Sequence, residues 1–310
     1  MRTSKFREGD IIRLFDPWNS PLCTCPRKYT LNPYTGCSFF CIYCYATAYI
    51  GRKPSTPKNN YFPRLLRDLR KINPKLPINM STSSDPYPPI EKHLMITRRT
   101  LKLLMEKGLR VLITTKSDLY TRDIDIMVNG VTAVTPSITT LNDSISTKLE
   151  PGAPTPKERI KALEKLSENN IPAGVRIDPI LPYINDDPYD IEELIATLSQ
   201  ISSVDFVVTS TYKARPDNLK RVIETFPELS DKYKRLYLKE GEKIHGYWHL
   251  SKNLRVKLLA PVFKYARKYG LKYAHCREGL QGIEYFNSPS CDGTHLLYPP
   301  FYPPTLGRTK

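Results

Sequence analysis

The 310-residue chain predicts an α/β fold, a partial (β/α)6 barrel of TIM type with an α-rich C-terminal extension. Strand-type runs alternate with helix-type stretches six times between residues 28 and 215, the rhythm of parallel βα units. A hydrophobic content of 40% with 25% charged residues describes a chain able to fold on its own core. Proline (28) outnumbers glycine (14), so many connections should be stiff. The expected organisation is an N-terminal extension over 1–27, the barrel over 28–215, and an extension over 216–310 that caps a lateral opening.

The elements follow in order. Residues 28–34 form a short β-type run, with a helical stretch over 45–49 and helical periodicity over 61–72. Residues 77–80 are a second strand. Apolar residues recur at helical spacing over 97–107 until Gly108 stops them, and 110–115 is β-rich. Residues 119–128 read as helix and 131–137 as strand. The 156–169 stretch is an amphipathic helix, with Thr155 as its N-cap and Pro156 at the first helical position. Residues 173–180 are strand, 190–201 helix and 206–211 strand. In such a barrel the site lies at the C-terminal strand ends. There the chain places polar loops: 81–91, 114–118, 135–140, 176–179 and 211–215.

Charge and hydropathy exclude other classes. No apolar run approaches the roughly 18 residues of a membrane span, and residues 1–7 open no signal peptide. A cytoplasmic protein is therefore expected. Lys+Arg (47) exceed Asp+Glu (31), a formal charge of +16 that suits an anionic partner such as nucleic acid, nucleotides or a lipid surface. Twenty tyrosines among these charges suit base stacking, though tyrosine also fills cores.

Seven cysteines stand at 23, 25, 37, 41, 44, 276 and 291. An odd, uneven set is poor material for a disulfide framework and points to metal or redox chemistry. Cys37-Ser-Phe-Phe-Cys41-Ile-Tyr-Cys44 follows directly on Asn32-Pro-Tyr-Thr-Gly36. Three thiolates on one loop can bind three irons of a cubane cluster that ordinarily takes four cysteines, leaving one iron open. A zinc knuckle completed by Cys25 is the competing reading, but CxxxCxxC is an unusual zinc spacing.

This arrangement, with Tyr43 before the third cysteine, resembles the signature of the radical S-adenosylmethionine superfamily. The resemblance implies a [4Fe-4S] cluster on Cys37, Cys41 and Cys44, with the amino and carboxylate groups of the S-adenosylmethionine cofactor on the open iron. It also implies reductive cleavage to a 5′-deoxyadenosyl radical and an electron donor such as ferredoxin or flavodoxin. Asn-Pro-Tyr-x-Gly-Cys, the cysteine run and Tyr45-Ala46 look like the spore photoproduct lyase-like (DNA repair photolyase-like) branch, over about 28–215. By that resemblance Tyr43, Ser84, Lys116 and Ser137 contact the cofactor, Lys116 neutralising the methionine carboxylate. Those lyases keep a hydrogen-donor cysteine just before the Ser-Asp pair. Residues 79–83 hold none, and the Thr82 hydroxyl is a far poorer hydrogen-atom donor.

Cys23, Cys25, Cys276 and Cys291 remain. A partial barrel leaves its first and last strands unpaired, so both chain ends could meet over that gap. There they could form a four-cysteine zinc site or an auxiliary cluster; a disulfide and separate buried thiols are the other readings. His93, His245 and His249 read as structural or solvent-facing. Arg215, Arg255 and Lys257 read as phosphate contacts, and the 216–310 segment as the carrier of substrate recognition. The expected function is a radical enzyme acting on nucleic acid; the alternative is radical modification of a peptide, lipid or small metabolite.

Overall fold

The computed structural model describes residues 10–15 and 20–302. Eight strands form the main sheet: β1 (Ile12–Leu14), β2 (Tyr29–Leu31), β3 (Ile78–Met80), β4 (Val111–Thr115), β5 (Thr132–Pro136), β6 (Ala173–Ile180), β7 (Val204–Thr211) and β8 (Lys272–His275). Each pairs with its neighbours in sequence order, and β1 and β8 are the two open ends. Strands β2 to β8 run parallel, and β1 alone is antiparallel, on β2. The partial barrel expected from sequence is what the chain forms, with one change. Seven strands are parallel, not six, because Lys272–His275 lies beside β7 with Tyr273 opposite Val207. Four residues are too few for a periodic signal, so sequence reading left them in an α-rich extension. The first and last strands of the six-unit core are consequently paired: β1 covers β2 and β8 covers β7.

The helices that matter for the site are α1 (Tyr61–Leu69), α2 (Ile96–Glu106), α3 (Asp143–Leu149), α4 (Pro156–Glu168), α5 (Pro188–Ser199), α6 (Pro216–Thr225) and α7 (Lys252–Lys268). The 119–128 stretch is not one helix. A 3-10 turn over Leu119–Asp123 precedes a single α-turn over Ile124–Met127, and the break falls where buried Asp123 receives Arg98 and Arg122. Sequence reading missed α3, whose N-cap Asn142 accepts from Ser144 and Ile145 amides. Among the described residues no helix is long and apolar enough to cross a membrane.

Strand alternation divides the core in two. Val111 and Ile113 of β4 join the large cluster beneath the helices, whereas Leu112 faces the lumen with Ala133, Phe206, Val208 and Ala274. The lumen is plugged by the chain's own C-terminal stretch through Cys291, Leu296 and Leu297. Gly293 makes that approach possible: its φ is +93°, and a Cβ would run into the Thr135 side chain.

Thr155 caps α4 as the sequence predicts. Its hydroxyl accepts from the Glu158 amide at 3.3 Å, and the Glu158 carboxylate accepts the Thr155 amide at 2.7 Å. Thr155→Ala should lower the stability of the whole chain by about 1 kcal/mol, read as a shifted urea midpoint at constant slope.

Candidate active site

The cysteine loop leaves β2 and is fixed at almost every backbone position. Gly36 has φ +71°, and a Cβ there would collide with the Pro54 carbonyl, so only glycine lets the chain turn into the loop. Cys37 N donates to Lys53 O at 2.9 Å, while Ser38 and Ser55 exchange amide-to-hydroxyl bonds of 3.0 and 2.9 Å. Ile42 N reaches Leu149 O at 2.9 Å, and Gly152 N reaches Phe39 O at 3.0 Å. From the other side α6 reads the loop's carbonyls. Asn218 donates to Tyr43 O at 3.0 Å, and Arg221 donates to Ile42 O and Cys44 O, each at 3.0 Å. Asn218 and Arg221 gave no signal in sequence, since nothing in a polar helical residue reveals a carbonyl 175 or more positions away.

The preceding motif has a structural reason at each place. Asn32 Oδ1 accepts the amides of Thr82, Ser83 and Ser84 at 3.1, 3.2 and 3.4 Å, which shapes the loop after β3. The Tyr34 hydroxyl donates to Glu91, a fully buried carboxylate that also takes Thr97 N, Arg98 N and Arg122. Asp85 then joins that loop to the end of β4. It accepts Thr115 Oγ1 at 2.7 Å, Lys116 N at 2.8 Å and Tyr87 N at 2.9 Å. Burial pushes its carboxyl above the usual range despite these bonds.

Cys37 and Cys44 are half-buried and Cys41 is buried. Burial pushes the Cys37 thiol up to about 11 and Cys41 well above its ordinary value, each also raised by its fellow thiols. Lys116 opposes this at Cys41. Its ammonium stands 5.5 Å from the Tyr43 ring centre and 4.0 Å from Glu150. Ser84 Oγ is buried and has no hydrogen-bond partner among the described residues. Ser137, at the end of β5, is held by its backbone: its amide donates to Thr115 O at 2.8 Å and its carbonyl accepts Arg159 at 3.0 Å. The structure therefore gathers Lys116 and Glu150 against Tyr43 of the cysteine loop, with Ser84 in the loop after β3 and Ser137 just past β5.

Glu150, just past α3, was not singled out in sequence. It is fully buried and pairs with Arg159 at 2.5 Å, accepts the Tyr43 hydroxyl, and takes Thr139 Oγ1 at 3.2 Å. Burial alone would raise its pKa, but Arg159 and Lys116 outweigh burial and hold it below the ordinary carboxylate range.

Beyond β7 a second polar group lines the rim. Arg176 bonds Asp178 at 2.6 Å, Ser210 donates to Asp178, and Lys213 pairs with buried Glu278 at 2.8 Å. Arg255 belongs to this network and is not a phosphate contact. It is 3% exposed and donates to Glu278 O at 2.8 Å, because its helix turns it inward against the chain after β8. Lys257 is exposed on the same helix, and His93 and His245 are exposed. His249 is buried and held neutral, its pKa lowered to about 2 by burial and by Lys213, Arg255 and Arg277.

Arg215 and Arg277 are different. Arg277 lies 5.0 Å from the Tyr45 ring centre and 5.5 Å from that of Tyr247, and Arg215 lies 5.0 Å from Tyr247. Tyr45, next to Cys44, meets Tyr247 edge-on at 5.8 Å. Neither guanidinium donates a side-chain hydrogen bond or forms an ion pair among the described residues, and Arg215 Nε is buried without a partner. Tyr247 reaches this place because Trp248 and Ala214 exchange backbone bonds of 2.9 Å.

Comparison with known proteins agrees with this geometry. A family model described as the radical SAM superfamily matches residues 31–198. An uncharacterized protein of Methanocaldococcus jannaschii is 32% identical over 209 residues, covering 65% of this chain and 77% of that protein. The radical SAM Nalpha-GlyT isomerase of Pseudomonas phage M6 is 24% identical and covers 81% of this chain and 54% of the phage protein. A solved spore photoproduct lyase variant with bound AdoMet and dinucleoside spore photoproduct superposes with a TM-score of 0.62 at 19% identity. It covers 87% of this chain and 80% of that one, a likeness of fold.

Glu150→Gln should destabilise the fold by about 3–5 kcal/mol in urea denaturation, because Arg159 keeps its buried charge and loses its counter-ion. The pH dependence carries the same sign. A depressed carboxylate contributes stability above its unfolded pKa and loses it as pH falls through the folded one. The variant should lack that part of the acid limb.

Proposed function

The chain belongs to the radical S-adenosylmethionine superfamily, whose members use a [4Fe-4S] cluster with S-adenosylmethionine, and from that premise we propose an enzyme acting on nucleic acid. The residues present fit the cofactors. Cys37, Cys41 and Cys44 supply the three-thiol donor set on one rigid loop, and Ser84 holds an unspent hydroxyl in the adjoining wall. When bound, the pair supplies one-electron, hydrogen-abstracting chemistry.

The chain's own groups then have distinct tasks. Cys37, Cys41 and Cys44 hold the cluster. Lys116 presents a compact cation to a carboxylate, and its partial neutralisation by Glu150 keeps its position fixed while leaving charge to share. Ser84, in the loop after β3, and Ser137, just past β5, offer hydroxyls on either side of β4, the strand just before Lys116. Tyr43, locked by Glu150, gives a flat buried surface. Phe39 and Ile42 pack under the loop and exclude water.

The observation that carries the substrate reading is the pair of unspent guanidiniums, Arg215 and Arg277, laid over Tyr45 and Tyr247 beside Cys44. A guanidinium braced on aromatic faces with its donors free suits a phosphate, and aromatic faces suit a base. The formal charge of +16 supports the same partner. The spore photoproduct lyase fold admits a dinucleoside, which supports this substrate class by analogy of architecture. The 79–83 segment carries no thiol, so we do not extend the proposal to thymine-dimer reversal by a donor at that place.

Replacing Cys37, Cys41 and Cys44 by Ala should abolish the brown absorbance of the anaerobically reconstituted protein and its production of 5′-deoxyadenosine. A triple variant that kept both would overturn the assignment. On the substrate side, Arg215→Gln with Arg277→Gln should flatten the salt dependence of binding to single-stranded oligonucleotides, by about 0.7 in log–log slope for each phosphate no longer neutralised. An unchanged slope removes these two residues from the interface. Failure of the unaltered protein to bind any oligonucleotide transfers the proposal to a peptide, lipid or metabolite.

A further inference from the structure

We propose that Cys23, Cys25, Cys276 and Cys291 hold a single structural zinc ion that clasps the two ends of the chain within the barrel. These thiols come from three places: the stretch before β2, the residue after β8, and the C-terminal plug of the lumen. The fold brings Cys25 and Cys291 together across 266 positions, with their sulfurs 3.6 Å apart. Cys25 and Cys276 both pack against the lumen cluster that contains Cys291, and Cys23 lies two residues before Cys25.

The 3.6 Å separation, at which one thiol can also hydrogen-bond the other, is compatible with two ligands of one zinc ion and not with a disulfide. Zinc–sulfur bonds of about 2.3 Å at tetrahedral angles set neighbouring sulfurs about 3.8 Å apart. A disulfide requires about 2.05 Å. A cubane places each thiolate on its own iron, farther from the next. Two thiolates on one ion fit the observed edge. Among the described residues no three His, Cys, Asp or Glu side chains converge tightly enough to hold an ion as they stand. Filling the site therefore asks Cys23 and Cys276 to rotate toward the Cys25–Cys291 edge.

The surroundings suit an anionic metal–thiolate centre. Four thiolates and one zinc dication leave two negative charges. Buried Lys28 and half-buried Arg176 bring positive charge to these thiols, while each is also paired with a carboxylate, Asp292 and Asp178 respectively. Thr24 Oγ1 donates to Cys291 Sγ at 3.8 Å, a bond of the kind that orients a ligand from outside. A four-thiol set leaves no coordination position for substrate, so the role is structural. Among the described residues the sheet ends at β1 and β8 and no strand pairing joins them; the ion would tie the stretch before β2 to the residue after β8.

The test uses the full-length chain carrying Cys37→Ala, Cys41→Ala and Cys44→Ala, so that the radical cluster contributes no iron. Elemental analysis should find one zinc per chain, without iron or acid-labile sulfide. Titration with an organomercurial should release that zinc over four thiol equivalents, read with a colorimetric zinc indicator. Adding Cys25→Ser and Cys291→Ser should lose the zinc and lower the melting temperature. Should that variant fail to fold, the titration of its parent still decides. Four free thiols without zinc, iron with labile sulfide, or two thiols missing under non-reducing denaturing conditions would each overturn the proposal. None of these results bears on the cluster at Cys37, Cys41 and Cys44.

Discussion

A carboxylate with no access to water must find its partners inside the protein, and Glu150 finds four. Arg159 comes from α4, Tyr43 from the cysteine loop, Thr139 from the stretch after β5, and Lys116 from the end of β4. Removing a charge from water costs several kcal/mol unless each lone pair is answered, so these elements have one favourable arrangement around it. That arrangement holds Tyr43 within the cysteine loop and brings Lys116 beside it. Asp85 and Glu91 do the same for the neighbouring loops, Asp85 joining β3 to β4 and Glu91 receiving Tyr34 from the motif before Gly36. The rim is thus organised from beneath by buried acids, which position the cysteine loop and the loops beside it.

This explains which parts of the site were legible in sequence. The thiols were readable because their chemistry requires a short spacing on one loop, whereas Lys116, Ser84 and Ser137 were named only through the resemblance to a family, from polar loops after the strands. Glu150, Asn218 and Arg221 act over distances in sequence that no local pattern encodes. The barrel strands were found where apolar runs were long enough to show their period, and Lys272–His275 was missed because four residues are not. The 119–128 stretch misled for a related reason: helical periodicity continues through Asp123, but two arginines competing for that buried carboxylate break the backbone pattern there.

Arg255 and Arg277 make the same point with one residue type. Both follow β7 and both were embedded in a basic, tyrosine-rich stretch. Arg255 is consumed by the Glu278 carbonyl and lies within ion-pair reach of Glu242 and Glu278. Arg277 rests on two tyrosine rings and donates to no acceptor among the described residues. A cation near a site is informative only after its acceptors have been counted, and that count belongs to tertiary structure.

Backbone strain falls on the same rim. Phe40 in the cysteine loop, Ser81 after β3 and Arg277 after β8 all sit at positive φ, at 49°, 74° and 56°. A non-glycine residue there costs of order 1–3 kcal/mol and persists only where its surroundings over-determine it. For Ser81 the surroundings are visible: its hydroxyl donates to Ser84 O, and Asn32 fixes the next three amides. For Phe40 they are the Ser38–Ser55 exchange and the Phe39–Gly152 bond on either side. Arg277 has Cys276 N bonded to Thr209 O before it and the Glu278 network after it. Strain and buried acids therefore occur together. A change on the rim that leaves Glu150, Asp85 and Glu91 satisfied should spare the barrel, whereas a change at one of those carboxylates should loosen the loops it holds.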